Sequence, residues 1–203
     1  DPVARAPSDG HPLFFGTTGT LAINPSLYAR LRYDPVKDFA PVSLMATTMN
    51  VLVASPGIPA KNLADLIALA KARPGELTYG SAGNGSSNHL SGELFRSTAG
   101  IQITHVPYKG SAPAMVDLLG GRLSMMFDTI AQQTQNIAAG KVRALAVTGP
   151  KRSPLLPTVP TAQEAGHKGF DVATWYGVLA PRATPAPVVV RLNREMVAVM
   201  ASD

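Results

Sequence analysis

An α/β fold with a mostly parallel sheet is predicted by three features of this sequence. Short apolar runs alternate with helix-length segments from Leu77 to Val147, the pattern of βαβ units whose sheet is covered on both faces. Glycines stand where those helices should stop, at Gly120-Gly121 and Gly140. The chain has 203 residues, enough for one large domain or two small lobes, and a chain of this size buries roughly 70% of its unfolded surface.

The elements follow in order. Leu13-Phe14-Phe15 reads as a strand that breaks into the loop Gly16 to Thr20. Residues 40–54 are β-like, most clearly at Val51-Leu52-Val53. Asn62 is an expected N-cap with Asp65 three positions on, and Leu63, Leu66, Ile67 and Ala70 share one face of the helix it opens. Leu77 to Tyr79 is a strand, Gly80 to Ser87 a loop, and about Asn88 to Ala99 a helix. Ile101 to Tyr108 is the next strand, and Pro113 suits the first turn of the helix after it. Leu123 to Phe127 and Val142 to Val147 are strands flanking a helix that ends near Ala139. Trp175 to Leu179 is a late apolar strand. Thr184-Pro185 is expected to cap a final helix carrying Val189, Leu192, Met196 and Met200.

Composition narrows the class. Eighteen glycines and 18 prolines stay below the roughly 25–30% that marks disordered chains. Charged residues are 15% of the chain and the net charge is +5, a modest excess compatible with a small acidic ligand. The basic residues are scattered, so no nucleic-acid-binding arm is expected. There is no cysteine, which excludes disulfides, thiolate metal sites and a cysteine nucleophile and suits an oxidising compartment. The charge-free stretch Phe39 to Ala60 contains Pro41, Pro56 and Pro59 and does not read as a membrane span. The start at Asp1 without Met fits a mature product or a fragment, and the end just past Met200 looks cut.

The most informative segment is Gly80-Ser81-Ala82-Gly83-Asn84-Gly85-Ser86-Ser87-Asn88. A loop that leaves a strand and opens a helix offers free N–H groups to an anion. The hydroxyls of Ser81, Ser86 and Ser87 would add neutral donors. Two nucleotide motifs come close and fail. Ser86 stands where a phosphate loop needs Lys, and Asn88 replaces the third Gly of a dinucleotide fingerprint. What is left suits a carboxylate of low charge. Ligands in open α/β sheets lie beyond the strands' carboxyl ends, so Tyr108, Lys109 and Asp128 are further candidates. Asp128 suits an amine or hydroxyl, or equally caps the following helix. Thr17, Thr18, Gly19 and Thr20 form a second strand-to-loop segment of similar chemistry.

No catalytic residue is assigned. Ser87 and His89 are too close in sequence to orient as nucleophile and base, and the hydrolase elbow is absent. His11, His89, His105 and His167 lack metal-ligand spacing. No metal and no cofactor are expected. Trp175-Tyr176 suits either a ligand cleft or the core.

With these segments in place the sequence resembles the extracytoplasmic solute receptors of the tripartite tricarboxylate transporters, the Bug proteins. The resemblance rests on an ordered set: Ser8-Asp9-Gly10; Gly19 to Ala22 with Asn24-Pro25 and Leu27-Tyr28; Tyr33-Asp34-Pro35 with Asp38-Phe39; Tyr79-Gly80-Ser81 with Gly83, Gly85 and His89-Leu90. His105 to Gly110, Asp117-Leu118 with Gly120-Gly121, Arg143 to Val147, Val159-Pro160-Thr161, Glu164-Ala165-Gly166 and Trp175 with Gly177 continue it. The resemblance implies a type II periplasmic-binding-protein fold, with lobe one at 1–54 plus 177–203 and lobe two at 55–176. Family members begin earlier and continue further, so lobe one is expected to be incomplete here. The resemblance also implies ligand contacts at Thr17 to Thr20 and at Ser81, Ala82, Gly83, Asn84, Gly85, Ser86 and Ser87, with a carboxylate held by amides, hydroxyls and waters. His89, Tyr108, Lys109 and Asp128 are kept as candidates beside them.

The reading is a periplasmic, non-enzymatic, monomeric receptor of a Gram-negative bacterium that closes on a small carboxylate. Its partners would be a membrane permease or a sensor domain. Two alternatives stay open: an enzyme acting on a carboxylate through Ser87, His89 and Asp128, and the effector-sensing domain of a transcription regulator.

Overall fold

The computed structural model describes residues 2–202. The chain divides into two compact units, one formed by the residues up to Thr47 with those from Thr174 on, the other by Thr48–Ala173. The sequence reading puts the divisions further along, at 54/55 and 176/177. It leans on the apolar run Val51 to Val53, which marks the buried end of one long strand, β2 (Phe39–Ala54), rather than the point where that strand passes between units.

The larger unit carries the alternating elements. After β2 come α2 (Leu63–Ala72), β3 (Thr78–Ser81), α3 (Ser87–Ala99), β4 (Thr104–Pro107), α4 (Ser111–Leu119), β5 (Met125–Thr129), α5 (Ile130–Ala138) and β6 (Arg143–Val147). β3 lies between β4 and β5 and runs parallel to both, with Tyr79 beside His105 and Met125. The end of β2 lies antiparallel to both β5 and β6, with Val51 opposite Asp128 and Val147. Four strands thus share one direction and one opposes them, as a mostly parallel sheet requires.

Alternation along the strands separates two cores. Leu52, Ala54, Tyr79, Met125 and Phe127 face one, with Leu66, Phe95 and Phe170. Val51, Val53, Met126 and Val147 face the other, with Ala114, Leu118 and Ile130. Successive side chains point to opposite faces, and a sheet buried on both sides needs apolar residues at every position. β5 begins and ends two residues later than expected, at Met125 and Thr129.

Local caps set the helix starts. Asn62 Oδ1 accepts the Asp65 N–H at 2.8 Å, and Asp65 Oδ2 accepts the Lys61 N–H at 2.9 Å, a reciprocal arrangement that satisfies orphan donors. α3 ends at Gly100, whose φ of +60° is a left-handed stop that a side chain would oppose.

In the smaller unit β1 (Phe14–Thr17) pairs antiparallel with β7 (Ala173–Pro181), Gly16 lying opposite Gly177. A π-helical turn, Gly19–Ile23, runs into the short α1 (Asn24–Leu27). The last helix is α6 (Ala186–Met200). The core here is small: Val42, Val178 and Ala180 are buried, and Val189, Leu192 and Met196 pack on them. Met200, expected on that stripe, is exposed. The expected Thr184-Pro185 cap is corrected. Pro185 is the cap residue and makes no side-chain bond, while the Thr184 hydroxyl is buried without a hydrogen-bond partner.

Candidate functional site

The glycine loop joins β3 to α3 in the larger unit. Gly83 has φ +122° and Gly85 φ +79°, values that residues with a Cβ rarely adopt. With these two turns the loop folds back on its own hydroxyls. The Gly83 N–H donates to Ser81 Oγ at 3.1 Å, and the Ser86 N–H donates to the Gly83 carbonyl at 3.2 Å. Ser86 is the N-cap of α3: its hydroxyl donates to the Gly83 carbonyl at 2.7 Å and accepts the His89 N–H at 3.2 Å. Ser81 Oγ lies 2.7 Å from His105 Nε2.

These bonds correct part of the donor set. The hydroxyls of Ser81 and Ser86 and the amides of Gly83, Gly85 and Ser86 serve the loop itself. The first-turn N–H groups of Ser87 and Asn88 remain, and neither donates to a described residue. First-turn amides have no partner inside the helix and lie at the positive end of its dipole. Beside them the Ser87 side chain is half-buried and that of Asn84 exposed.

Asn88 was missed by the sequence reading as a site residue. Its buried side chain donates to the Phe127 carbonyl at 2.6 Å and to Asp128 Oδ1 at 3.1 Å. Asp128 is 1% exposed and accepts from the Thr129 N–H at 2.9 Å and Gln133 Nε2 at 2.6 Å. Burial pushes its carboxyl above the usual carboxylate range, against those hydrogen bonds. The reading of Asp128 as a partner for a ligand amine is corrected: its oxygens are directed to Asn88, Thr129 and Gln133. The signal was a polar residue, Asn88, on the inward face of the helix start.

The loop after β4 braces the glycine loop. The Tyr108 N–H donates to the Ser81 carbonyl at 3.1 Å, and the Gly110 N–H to the Ala82 carbonyl at 3.3 Å. The Tyr108 hydroxyl points to Asp117 Oδ2 at 2.6 Å, and Arg122 Nε donates to the other oxygen of Asp117 at 2.8 Å. Burial and this contact raise the phenol; Arg122 and Tyr108 lower the Asp117 carboxyl. Lys109 is exposed and forms no ion pair among the described residues.

His89 Nδ1 accepts the Gly85 N–H at 3.3 Å, and its ring stacks on His105 with centroids 4.2 Å apart. Burial lowers both rings' affinity for a proton. No hydrogen bond links His89 to Ser87 or Asp128, so a nucleophile–base–acid relay through those three is absent among the described residues.

The threonine segment belongs to the smaller unit. The Thr17 N–H donates to Thr20 Oγ1 at 2.8 Å, and the Thr20 N–H to Thr17 Oγ1 at 3.2 Å. Thr18 Oγ1 accepts the Trp175 N–H at 2.8 Å and donates to the Trp175 carbonyl at 3.3 Å. The hydroxyls of Thr17, Thr18 and Thr20 thus close a turn and fasten it to β7. Trp175 lines an apolar cavity of about 300 Å³ with Leu21, Val36, Pro41 and Leu44, while Tyr176 stacks on Phe15. Among the described residues no group of His, Cys, Asp and Glu side chains could hold a metal ion.

Solved structures show the class this fold defines, the periplasmic solute-binding proteins. One, described as the periplasmic binding protein BugD, matches 98% of this chain and 67% of its own, with TM-score 0.93 and 38% identity. Another, Rpa4515 of R. palustris with adipate, matches 100% of this chain and 68% of its own, with TM-score 0.95 and 44% identity. MatC of Rhodopseudomonas palustris, with bound malate, matches 100% and 69%, with TM-score 0.93 and 35% identity. The sequence pattern of the tripartite tricarboxylate transporter family receptor matches residues 1–202, and the chain belongs to that family. Protein BugT of Bordetella pertussis is 38% identical over 197 residues, which cover 97% of this chain and 60% of that protein. The chain spans 56–60% of the length of three curated relatives that it matches. No helix among the described residues is long and apolar enough to cross a membrane.

Proposed function

We propose that this chain is the larger part of a periplasmic receptor that captures a small carboxylate without transforming it. One observation carries the reading: the first-turn amides of Ser87 and Asn88 donate to no described residue and stand at the positive end of the α3 dipole. Amides fixed by a rigid helix face an anion at little reorganisation cost. The related structures with adipate and malate support a ligand with a carboxylate at each end. One end would take the Ser87 and Asn88 amides and the Ser87 hydroxyl, with Lys109 as a solvated attraction nearby.

The finer steps are part of the same proposal. Binding would favour a closed form that a permease or sensor domain recognises. The test is a thermal-shift and calorimetric screen of adipate, malate and related acids on the full-length protein. A ligand that binds only the native state raises its melting temperature, and micromolar affinity corresponds to about 8 kcal/mol. Recovery of the acid unchanged is expected. Turnover of the acid, or indifference to every carboxylate tried, would overturn the reading.

A further inference from the structure

Two histidines, one on a helix and one on a strand, meet beside the glycine loop. His89 lies in the first turn of α3 and His105 on β4, where the parallel register sets it beside Tyr79. Their rings stack at 4.2 Å with a tilt of 27°, and Tyr79 stacks on the other side of His105 at 4.8 Å. Each imidazole holds a separate point of the loop. His89 Nδ1 accepts the Gly85 N–H at 3.3 Å, which needs a lone pair there and puts the ring proton on Nε2. His105 Nε2 lies 2.7 Å from Ser81 Oγ, the same oxygen that accepts the Gly83 N–H at 3.1 Å.

Charge around the pair is sparse. Glu93 faces it from α3, but its carboxylate is engaged by the Tyr79 hydroxyl at 2.6 Å and by Arg96 at 2.6 Å. Burial outweighs the pull of Glu93 at both rings, and the charge of His89 further opposes protonation of His105. A proton on His89 Nδ1 would turn an acceptor into a donor pointing at the Gly85 N–H. A proton on both rings would stack two cations face to face.

We infer that His89 and His105 are positioning residues that hold the glycine loop in its anion-receiving shape while His89 Nδ1 carries no proton, so that carboxylate capture weakens on acidification. The capture clause rests on the proposed function; the loop clause does not.

The loop is read first, by NMR of the 203-residue chain from pH 8 to pH 5. The Gly85 amide should shift with the same midpoint as the His89 ring, below the ordinary value of 6.5, and exchange with solvent about tenfold faster on the acid side. His89→Asn keeps an acceptor at the Nδ1 position but cannot titrate, so the Gly85 transition should vanish with the loop intact. His89→Phe keeps the stack without the acceptor and should free the Gly85 amide at every pH. If His89→Asn fails to fold, His105→Gln, which retains a polar atom toward Ser81, takes its place and should lower the cooperativity of the Gly85 transition. A Gly85 amide that ignores titration of the rings, or one that still titrates in His89→Asn, overturns the inference. Adipate affinity of the full-length protein is then measured at pH 7.5 and 5.0; adipate itself takes up protons near pH 5, so His89→Asn sets the baseline, and the parent should lose about threefold more affinity than that variant. Affinity that falls no further than in that variant while Gly85 titrates refutes the link to capture. Failure to bind adipate at any pH counts against the proposed function and leaves the Gly85 result to judge the loop.

Discussion

The side-chain amide of Asn88 donates to Asp128 Oδ1 at 3.1 Å and to the neighbouring Phe127 carbonyl at 2.6 Å, fastening the start of α3 to the end of β5. Both residues are buried. The bond fixes the direction of the first-turn amides relative to the sheet, and Asn88→Ala removes it while leaving two buried acceptors short of a donor. A loss on the order of 1–3 kcal/mol is expected for such a change, read by urea denaturation. If ligand capture uses the Ser87 and Asn88 amides, calorimetry should also show weaker adipate binding by about tenfold, more than the parent loses from any distant core substitution of equal stability cost.

Asp128 gives a pH-dependent prediction with a definite sign. Burial raises its proton affinity in the folded state above the ordinary 3.8, so folding is favoured by its protonated form. The penalty for holding it charged is greatest at neutral pH and fades as pH falls toward 4. Asp128→Asn carries no such penalty, and Gln133 can turn its amide to accept from the new NH₂. The variant's stability relative to the parent should therefore be most favourable at pH 7.5 and decline on acidification. Denaturation curves of the two proteins across that range check this; a difference that grows in acid would mean the carboxylate is the preferred native form.

Much of this was legible in the sequence because it is local. Asn62 and Asp65 are three residues apart and cap α2 as read, and the glycine run between a strand and a helix announces its turn by composition alone. What was not legible depends on register. Asn88 and Asp128 are 40 positions apart, Thr18 and Trp175 157, and His89 meets His105 because β3 and β4 run parallel with Tyr79 beside His105. A hydroxyl at a loop looks the same in sequence whether it faces a ligand or its own backbone. The sequence offers the hydroxyls of Ser81 and Ser86 as donors to a ligand for that reason, and the structure turns both to the Gly83 carbonyl.

Gly83 tests the loop's shape directly. Its φ is +122°, and a Cβ there would lie 3.2 Å from the Tyr108 carbonyl. Gly83→Val combines a backbone conformation that costs on the order of 1–3 kcal/mol for a residue with a side chain with pressure on the β4 loop that braces Ser81 and Ala82. Adipate binding by the full-length variant should fall below detection in a calorimeter while far-UV circular dichroism stays native. Parental affinity in Gly83→Val would show that this loop is not where the carboxylate sits.

Gly92 explains why α3 can lie so close to the sheet. A Cβ at that helical position would sit 2.2 Å from Tyr79 Cε2 and 2.6 Å from Cδ2. The tyrosine ring is fully buried, and its hydroxyl is committed to Glu93, so the ring has no easy retreat. An alanine normally strengthens a helix interior by about 1 kcal/mol over glycine. Here overpacking, about 1–3 kcal/mol, should win, and Gly92→Ala should lower the melting temperature despite the better helix former. Pairing it with Tyr79→Leu, which removes the ring, should return part of the loss; a Gly92→Ala protein more stable than the parent would show that α3 stands further off.

Thr18 holds the threonine turn of the smaller unit to β7 through two bonds to one residue, accepting the Trp175 N–H at 2.8 Å and donating to the Trp175 carbonyl at 3.3 Å. Thr18→Val keeps the shape of the side chain and removes both. The Trp175 N–H then loses its partner in a half-buried setting, which should cost about 1–2 kcal/mol. Trp175 is the single tryptophan of the chain, so its fluorescence reports on this unit specifically. The variant should show a red-shifted emission maximum and a lower urea midpoint by fluorescence. Thr18→Ser, which keeps the hydroxyl, should restore both. An unchanged emission spectrum in Thr18→Val would mean that the backbone of β7, rather than this hydroxyl, fixes the indole in place.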